Sequence, residues 1–236
     1  MFRFIVAPIA VLLSLVIPHS RHWTDSVKPL AWSTPQYSAQ DMMAMWLGYK
    51  VDTSQLPTKV ENHCTAWAYR PHQTLHWITA AHCVLDEETG AYEDHDYQVN
   101  GHLIYVEDWD QATDLAALVD ADGSAPGLKI AKHDIRVEDP LVIRGYPFGY
   151  VELVTVKGFL AAPSLGPEDW PSPYNRSVYA AYQTAIAGGN SGSPVFNGHG
   201  EVIGVLQAGI GDPEGVTPIG LGSLTKVLRE FVKRLD

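Results

Sequence analysis

Gly188-Gly189-Asn190-Ser191-Gly192-Ser193-Pro194 runs directly into the apolar pair Val195-Phe196. Glycines around one serine permit tight backbone turns that other residues resist. The apolar pair reads as a strand, so the serine stands on a turn at the mouth of that strand. Upstream, Trp77-Ile78-Thr79-Ala80-Ala81-His82-Cys83 ends an apolar strand on a histidine. Between the two lies Thr113-Asp114-Leu115-Ala116-Ala117-Leu118, an aspartate followed by an apolar run that would bury its carboxylate.

These three residue types have a chemical logic together. A serine hydroxyl is a weak nucleophile until a base takes its proton. Histidine titrates near neutral pH and suits that task. A carboxylate on the far ring nitrogen fixes the tautomer and stabilises the imidazolium. Ser191, His82 and Asp114 are therefore the candidate catalytic residues. The turn at 188–192 can also aim the amides of Gly189 and Ser191 at one point, where they would stabilise the negative oxygen of a tetrahedral intermediate. Asp108 and Asp110 compete with Asp114, but neither is followed by an apolar run. His63, His72, His76, His95, His102, His133 and His199 read as surface or structural residues. His72 and His76 would share a face only on a helix, and a strand is expected there, so no metal site is read. The chemistry requires no cofactor. A G-x-S-x-G elbow would need a glycine where Ser193 stands, with its acid and base downstream of the serine.

The order His82, Asp114, Ser191 and the quoted motifs resemble the trypsin-like serine protease family, most of all bacterial trypsin-like and HtrA-type peptidase domains. The resemblance covers residues 60–222 and is densest at the three motifs. It implies an all-β, chymotrypsin-like fold of two six-stranded antiparallel β-barrels with a C-terminal helix. His82 and Asp114 would come from the first barrel and Ser191 from the second. Gly145-Tyr146-Pro147 resembles a segment opening the second barrel, which puts the junction near residue 140. The implied activity is that of a serine endopeptidase, cleaving protein or peptide substrates through an acyl-enzyme. A catalytically inactive relative that serves as a binding module is the alternative. Two departures matter. Asn190 stands where digestive relatives carry the aspartate that receives a newly cut N-terminus, so no activation switch of that kind is expected. The specificity pocket would have Ala185 at its base and Leu206, Gln207, Ala208 and Gly209 as walls, favouring apolar or small side chains.

The remaining chain organises around this. Its 236 residues, 46% hydrophobic and 18% charged, can bury one sizeable core or two small ones. The formal net charge of -11 argues against nucleic acid as a partner, because phosphate binding needs a basic surface. Arg3 and the apolar run 4–17 read as a signal peptide over residues 1–19. No small-x-small pattern follows Ile17, so a retained membrane anchor stays open; either reading implies a secreted or other extracytoplasmic location. Residues 20–58, with scattered prolines and no sustained period, read as a connecting extension ahead of the protease domain at 59–236. Within the extension, 41–47 reads as a short helix that packs on the domain. The two cysteines, Cys64 and Cys83, allow one disulfide or two buried thiols.

Strands are expected at 65–69, 75–79, 97–99, 103–106, 115–119, 141–143, 151–161, 178–184, 194–196, 202–208 and 217–220. Asn100-Gly101 and Asn197-Gly198 mark hairpins. Residues 163–173 read as a surface loop, and 224–235 as a terminal helix capped by Ser223.

Overall fold

A computed structural model describes residues 22–36, 38–46, 49–52, 54, 56, 58–86, 89, 91–93, 95–121, 123–165, 179–210 and 217–235. The apolar run 4–17 and its expected signal or anchoring role lie outside these residues. Among the described residues, no helix is long and apolar enough to cross a membrane.

The first sheet contains β1 (Val27–Pro35), β2 (Thr58–Tyr69), β3 (Leu75–Thr79), β4 (Gln98–Val99), β5 (His102–Leu103), β6 (Tyr105–Asp110) and β7 (Leu115–Asp120), in the order β5-β4-β1-β2-β3-β7-β6. Seven strands stand where six were expected. The outermost two, β5 and β6, are separated only by the buried Ile104, so both ends of the sheet are one stretch of chain. The sheet thus curls into a barrel around an apolar interior that includes Leu30, Trp77, Tyr97, Ile104 and Leu118.

Strand β1 corrects the reading of residues 20–58 as a mere connection. It pairs antiparallel with β2 along its length and with β4 at Leu30 and Ala31. The register shifts between Leu30 and Ala31, and this bulge breaks the alternation by which a strand is recognised in sequence. A short helix, α1 (His22–Ser26), leads into β1, and the helix expected at 41–47 forms as α2 (Ala39–Trp46), preceded by a reciprocal pair of bonds between Ser38 and Asp41. Its Met42, Met43 and Met45 are exposed, so the apolar face expected against the domain is turned to solvent. Asn100 and Gly101 both adopt positive φ, 54° and 75°, as the tight turn between β4 and β5 requires.

The second sheet is a closed barrel of β8 (Pro140–Gly145), β9 (Val154–Leu165), β10 (Tyr179–Ile186), β11 (Pro194–Phe196), β12 (Val202–Ile210) and β13 (Thr217–Gly222), in the order β10-β13-β12-β11-β8-β9. Strand β9 continues through Pro163, where a loop was expected to begin; residues 166–173 of that loop lie outside the described residues. The terminal helix is α3 (Thr225–Val232), entered through Leu224 without a side-chain cap. Ser223 does something else. Its Oγ accepts the Val205 N–H at 3.0 Å, tying the approach to the helix onto β12.

A separate apolar cluster joins the two barrels. Val27, Trp67, Ile78, Leu115 and Ala117 from the first meet Val142, Tyr146, Phe196, Val202 and Val205 from the second, with Leu228, Phe231 and Val232 of α3 beside them. Each fully buried side chain of this size stabilises by about 1.5–3 kcal/mol, so α3 is a substantial clamp. The junction is thereby a packed interior, and the turns carrying His82, Asp114 and Ser191 are held against one another across it.

Candidate active site

His82 lies in a short 3-10 turn (Ala81–Cys83) directly after β3. Asp114 ends the turn that leads into β7. It is buried and has a φ of 51°, a left-handed conformation that aspartate tolerates better than most residues. Because β3 and β7 are paired neighbours, with Thr79 opposite Ala116, the two turns emerge side by side. The Asp114 carboxylate receives His82 twice. The His82 backbone N–H donates to Oδ1 at 2.8 Å, and ring Nδ1 lies 3.1 Å from Oδ1 and 2.9 Å from Oδ2. An ionised carboxylate only accepts, so Nδ1 carries the ring proton and the neutral ring keeps its lone pair on Nε2.

Ser191 arrives from the second barrel, on the turn between β10 and β11. Gly189 and Gly192 have φ of 88° and 85°, conformations that favour glycine. At either glycine a Cβ would strike neighbouring backbone, Tyr146 O at Gly189 and Thr65 O at Gly192. The turn is pinned on several sides. Gly192 N–H donates to Leu206 O at 2.8 Å, and Ser191 O accepts Thr65 N–H at 2.8 Å. Phe148 N–H donates to Gly188 O at 2.6 Å. In a trans peptide the C=O and N–H point in opposite directions, so the Gly189 N–H faces away from Phe148. His82 and Ser191 line one cavity of about 530 Å³, with the Cys64 and Cys83 pair in its wall.

Cys64 and Cys83 are bonded as a disulfide with Cα atoms 6.3 Å apart, so the buried-thiol alternative does not hold here. The cysteine sulfurs and a His82 ring nitrogen lie within 4.8 Å of one another. A thiolate is the metal-binding form of cysteine, and sulfurs bonded to each other do not supply one.

The residues expected to form a specificity pocket lie on two strands of the second barrel, Ala185 on β10 and the other four on β12. The register of β12 shifts between Leu206 and Ala208, and these two side chains join different apolar clusters. Leu206 belongs to the apolar interior of the second barrel, and Ala208 packs against the Tyr179, Ala181 and Leu221 cluster. Ala185 is exposed on β10, which β13 separates from β12, the strand that carries Gly209. Gln207 turns to the first barrel. Its Nε2 donates to Thr113 O at 2.7 Å and to Asp114 O at 2.9 Å.

Thr65 is a residue that sequence reasoning passed over. It is fully buried, and its Oγ1 donates to Gly189 O at 2.9 Å while accepting Tyr146 N–H at 3.0 Å. Its own carbonyl accepts the Thr79 hydroxyl at 2.8 Å. A buried threonine in a strand was the one available signal; its partners are too distant in sequence for any local pattern to reveal them.

Comparison with known proteins agrees with this architecture. Residues 64–205 match the model of the trypsin-like peptidase domain. Among solved structures, the HtrA-type protease AlgW with a decapeptide superposes with a TM-score of 0.64 at 20% identity, covering 89% of this chain and 63% of that one. The chain thus spans less than two thirds of AlgW. The Rv3671c protease from M. tuberculosis, in its active form, superposes with a TM-score of 0.63 at 15% identity, covering 99% of this chain and 91% of that one. No curated protein sequence matches the chain. At these identities the structures share the fold, while the domain match extends over more than half the sequence: this chain belongs to the trypsin-like peptidase family.

Proposed function

We propose that this chain is a serine endopeptidase in which Ser191 attacks a peptide carbonyl and forms an acyl-enzyme. The observation that carries the reading is the buried Asp114 carboxylate holding His82 through both backbone N–H and ring Nδ1, with Ser191 in the same cavity. In the first half-reaction the Ser191 hydroxyl adds to the carbonyl carbon as His82 Nε2 takes its proton. The carbonyl oxygen becomes negative and is stabilised by the N–H groups of Gly189 and Ser191. The intermediate collapses, His82 passes its proton to the departing amine, and the acyl group stays on Ser191. Water then repeats the sequence, releasing the acid and restoring the hydroxyl.

Peptide substrates fit the open cavity, and AlgW, which shares the fold, is known with a decapeptide. The disulfide beside His82 supports work in an oxidising compartment. Labelling by a fluorophosphonate, combined with cleavage-site mapping on denatured proteins, tests the proposal. Wild type is expected to label and cleave, and Ser191→Ala to lose both, with kcat reduced on the order of 10⁶-fold. A chain that neither labels nor cleaves is the binding module instead.

A further inference from the structure

We infer that the cavity beside His82 selects a cationic side chain, lysine or arginine, within the first two residues after the cut bond. The inference rests on the proposed peptidase chemistry and names the substrate preference it carries. Among the described residues, the cavity is lined, apart from Ser191, by the first sheet and the loop that follows His82, with no residue of β10 or β12. In that chemistry the acyl half of the substrate stays on Ser191, while the amine half departs by taking a proton from His82. A recess on the first-barrel side of His82 therefore faces the departing half.

Its lining carries one sign of charge. Asp86 and Glu93 contribute carboxylates, and no lysine or arginine is among the described lining residues. Both carboxylates are held in place. Asp86 Oδ1 accepts the backbone N–H and the hydroxyl of Thr89, each at 2.7 Å. Glu93 Oε2 lies 3.0 Å from His95 Nε2, and the Glu93 N–H donates to Val84 O at 3.0 Å. The apolar wall is Trp32, stacked on His63 with ring centroids 4.1 Å apart. Burial holds His63 below the ordinary histidine range, so at neutral pH that ring adds no positive charge to offset the acids. The recess pairs an aromatic wall, which suits the methylene stem of lysine or arginine, with acceptors for its charged head. An acidic side chain there would meet two like charges.

Peptides identical up to the cut bond and bearing Arg, Ala or Glu at the first or second position after it test this directly. Wild type is expected to favour Arg over Ala by about fivefold or more in kcat/KM, with Glu poorest. Raising salt should shrink the Arg preference. Glu93→Gln keeps an acceptor for His95 and should lower the Arg-to-Glu ratio; Asp86→Asn should lower it independently. Melting temperature and fluorophosphonate labelling establish that each variant is folded, and the wild-type salt series stands even where a variant is not. Cleavage at equal rates for the three peptides, or faster for Glu, overturns this inference while leaving the peptidase reading intact. Loss of labelling and cleavage together in wild type overturns both.

Discussion

Thr65 holds Gly189 across the junction of the two barrels, its hydroxyl donating to the glycine carbonyl at 2.9 Å although the residues are 124 positions apart. The same hydroxyl accepts the Tyr146 N–H, and the Thr65 main chain bonds Ser191. One buried residue of the first barrel thus fixes the conformation of the turn that presents Ser191. Thr65→Val keeps the shape and removes both hydroxyl bonds. Leaving buried polar groups unpaired costs about 1–3 kcal/mol each. The variant is expected to melt earlier and, if Gly189 supplies an oxyanion donor, to lose on the order of 100-fold in kcat. Thr65→Ser should recover most of the rate, and parallel measurements of kcat and melting temperature check this.

Gln207 performs a similar task for Asp114. Its amide donates to the carbonyls of Thr113 and Asp114, steadying a residue held at positive φ. Gln207→Leu removes both donors and should destabilise by about 1–3 kcal/mol. Gln207→Glu should be worse at neutral pH, because a carboxylate would face two carbonyl oxygens with nothing to donate. Urea titration of the three proteins at pH 7 gives the order; equal stability of the Leu and Glu variants would contradict the assignment.

Breaking the disulfide should loosen the wall beside His82. Cys64 and Cys83 close a loop with a sequence separation of 19, for which loop entropy predicts about 3 kcal/mol of stabilisation. The double variant Cys64→Ser/Cys83→Ser is expected to lose an amount of that order in denaturant melts. Wild type treated with a strong reductant should move toward it.

Stability should fall in mild acid through His63. Burial lowers its pKa, with Glu61 opposing and His95 reinforcing the shift. The unfolded chain, with an ordinary value of about 6.5, then takes up the proton before the folded one does. The stability from this group is fully present above the ordinary value and is lost as pH falls toward the lowered one. His63→Phe keeps a ring against Trp32 and should show a shallower decline between pH 7 and 5 by urea midpoint. Parallel declines in the two proteins would remove His63 as the cause.

The sequence disclosed the candidate residues better than the scaffold that holds them. His82, Asp114 and Ser191 stand in local patterns of a few residues each, and the structure brings all three to the barrel junction. The hairpin at Asn100-Gly101 was legible for the same reason, since positive φ at both positions leaves a local signature. Strand β1 was not, because its bulge at Leu30 and Ala31 disrupts the alternation and its prolines resemble those of a linker. The residues at 206–209 were located by distance along the chain, which does not disclose that Leu206 joins the interior of the second barrel or that Gln207 bonds the turn at Asp114. Ser223 looked like a helix cap, and only a partner 18 positions away revealed its bond to β12.

The apolar cluster that unites Trp67 and Ile78 with Phe196, Val205 and α3 adds an interior shared by both barrels to the one each holds by itself. Denaturation should therefore be a single all-or-none event, with no long-lived species in which one barrel stands without the other. On the proposed peptidase reading, a nucleophile completed only by that joint act would stay inactive in a half-assembled chain, which would protect the chain from self-digestion while it folds.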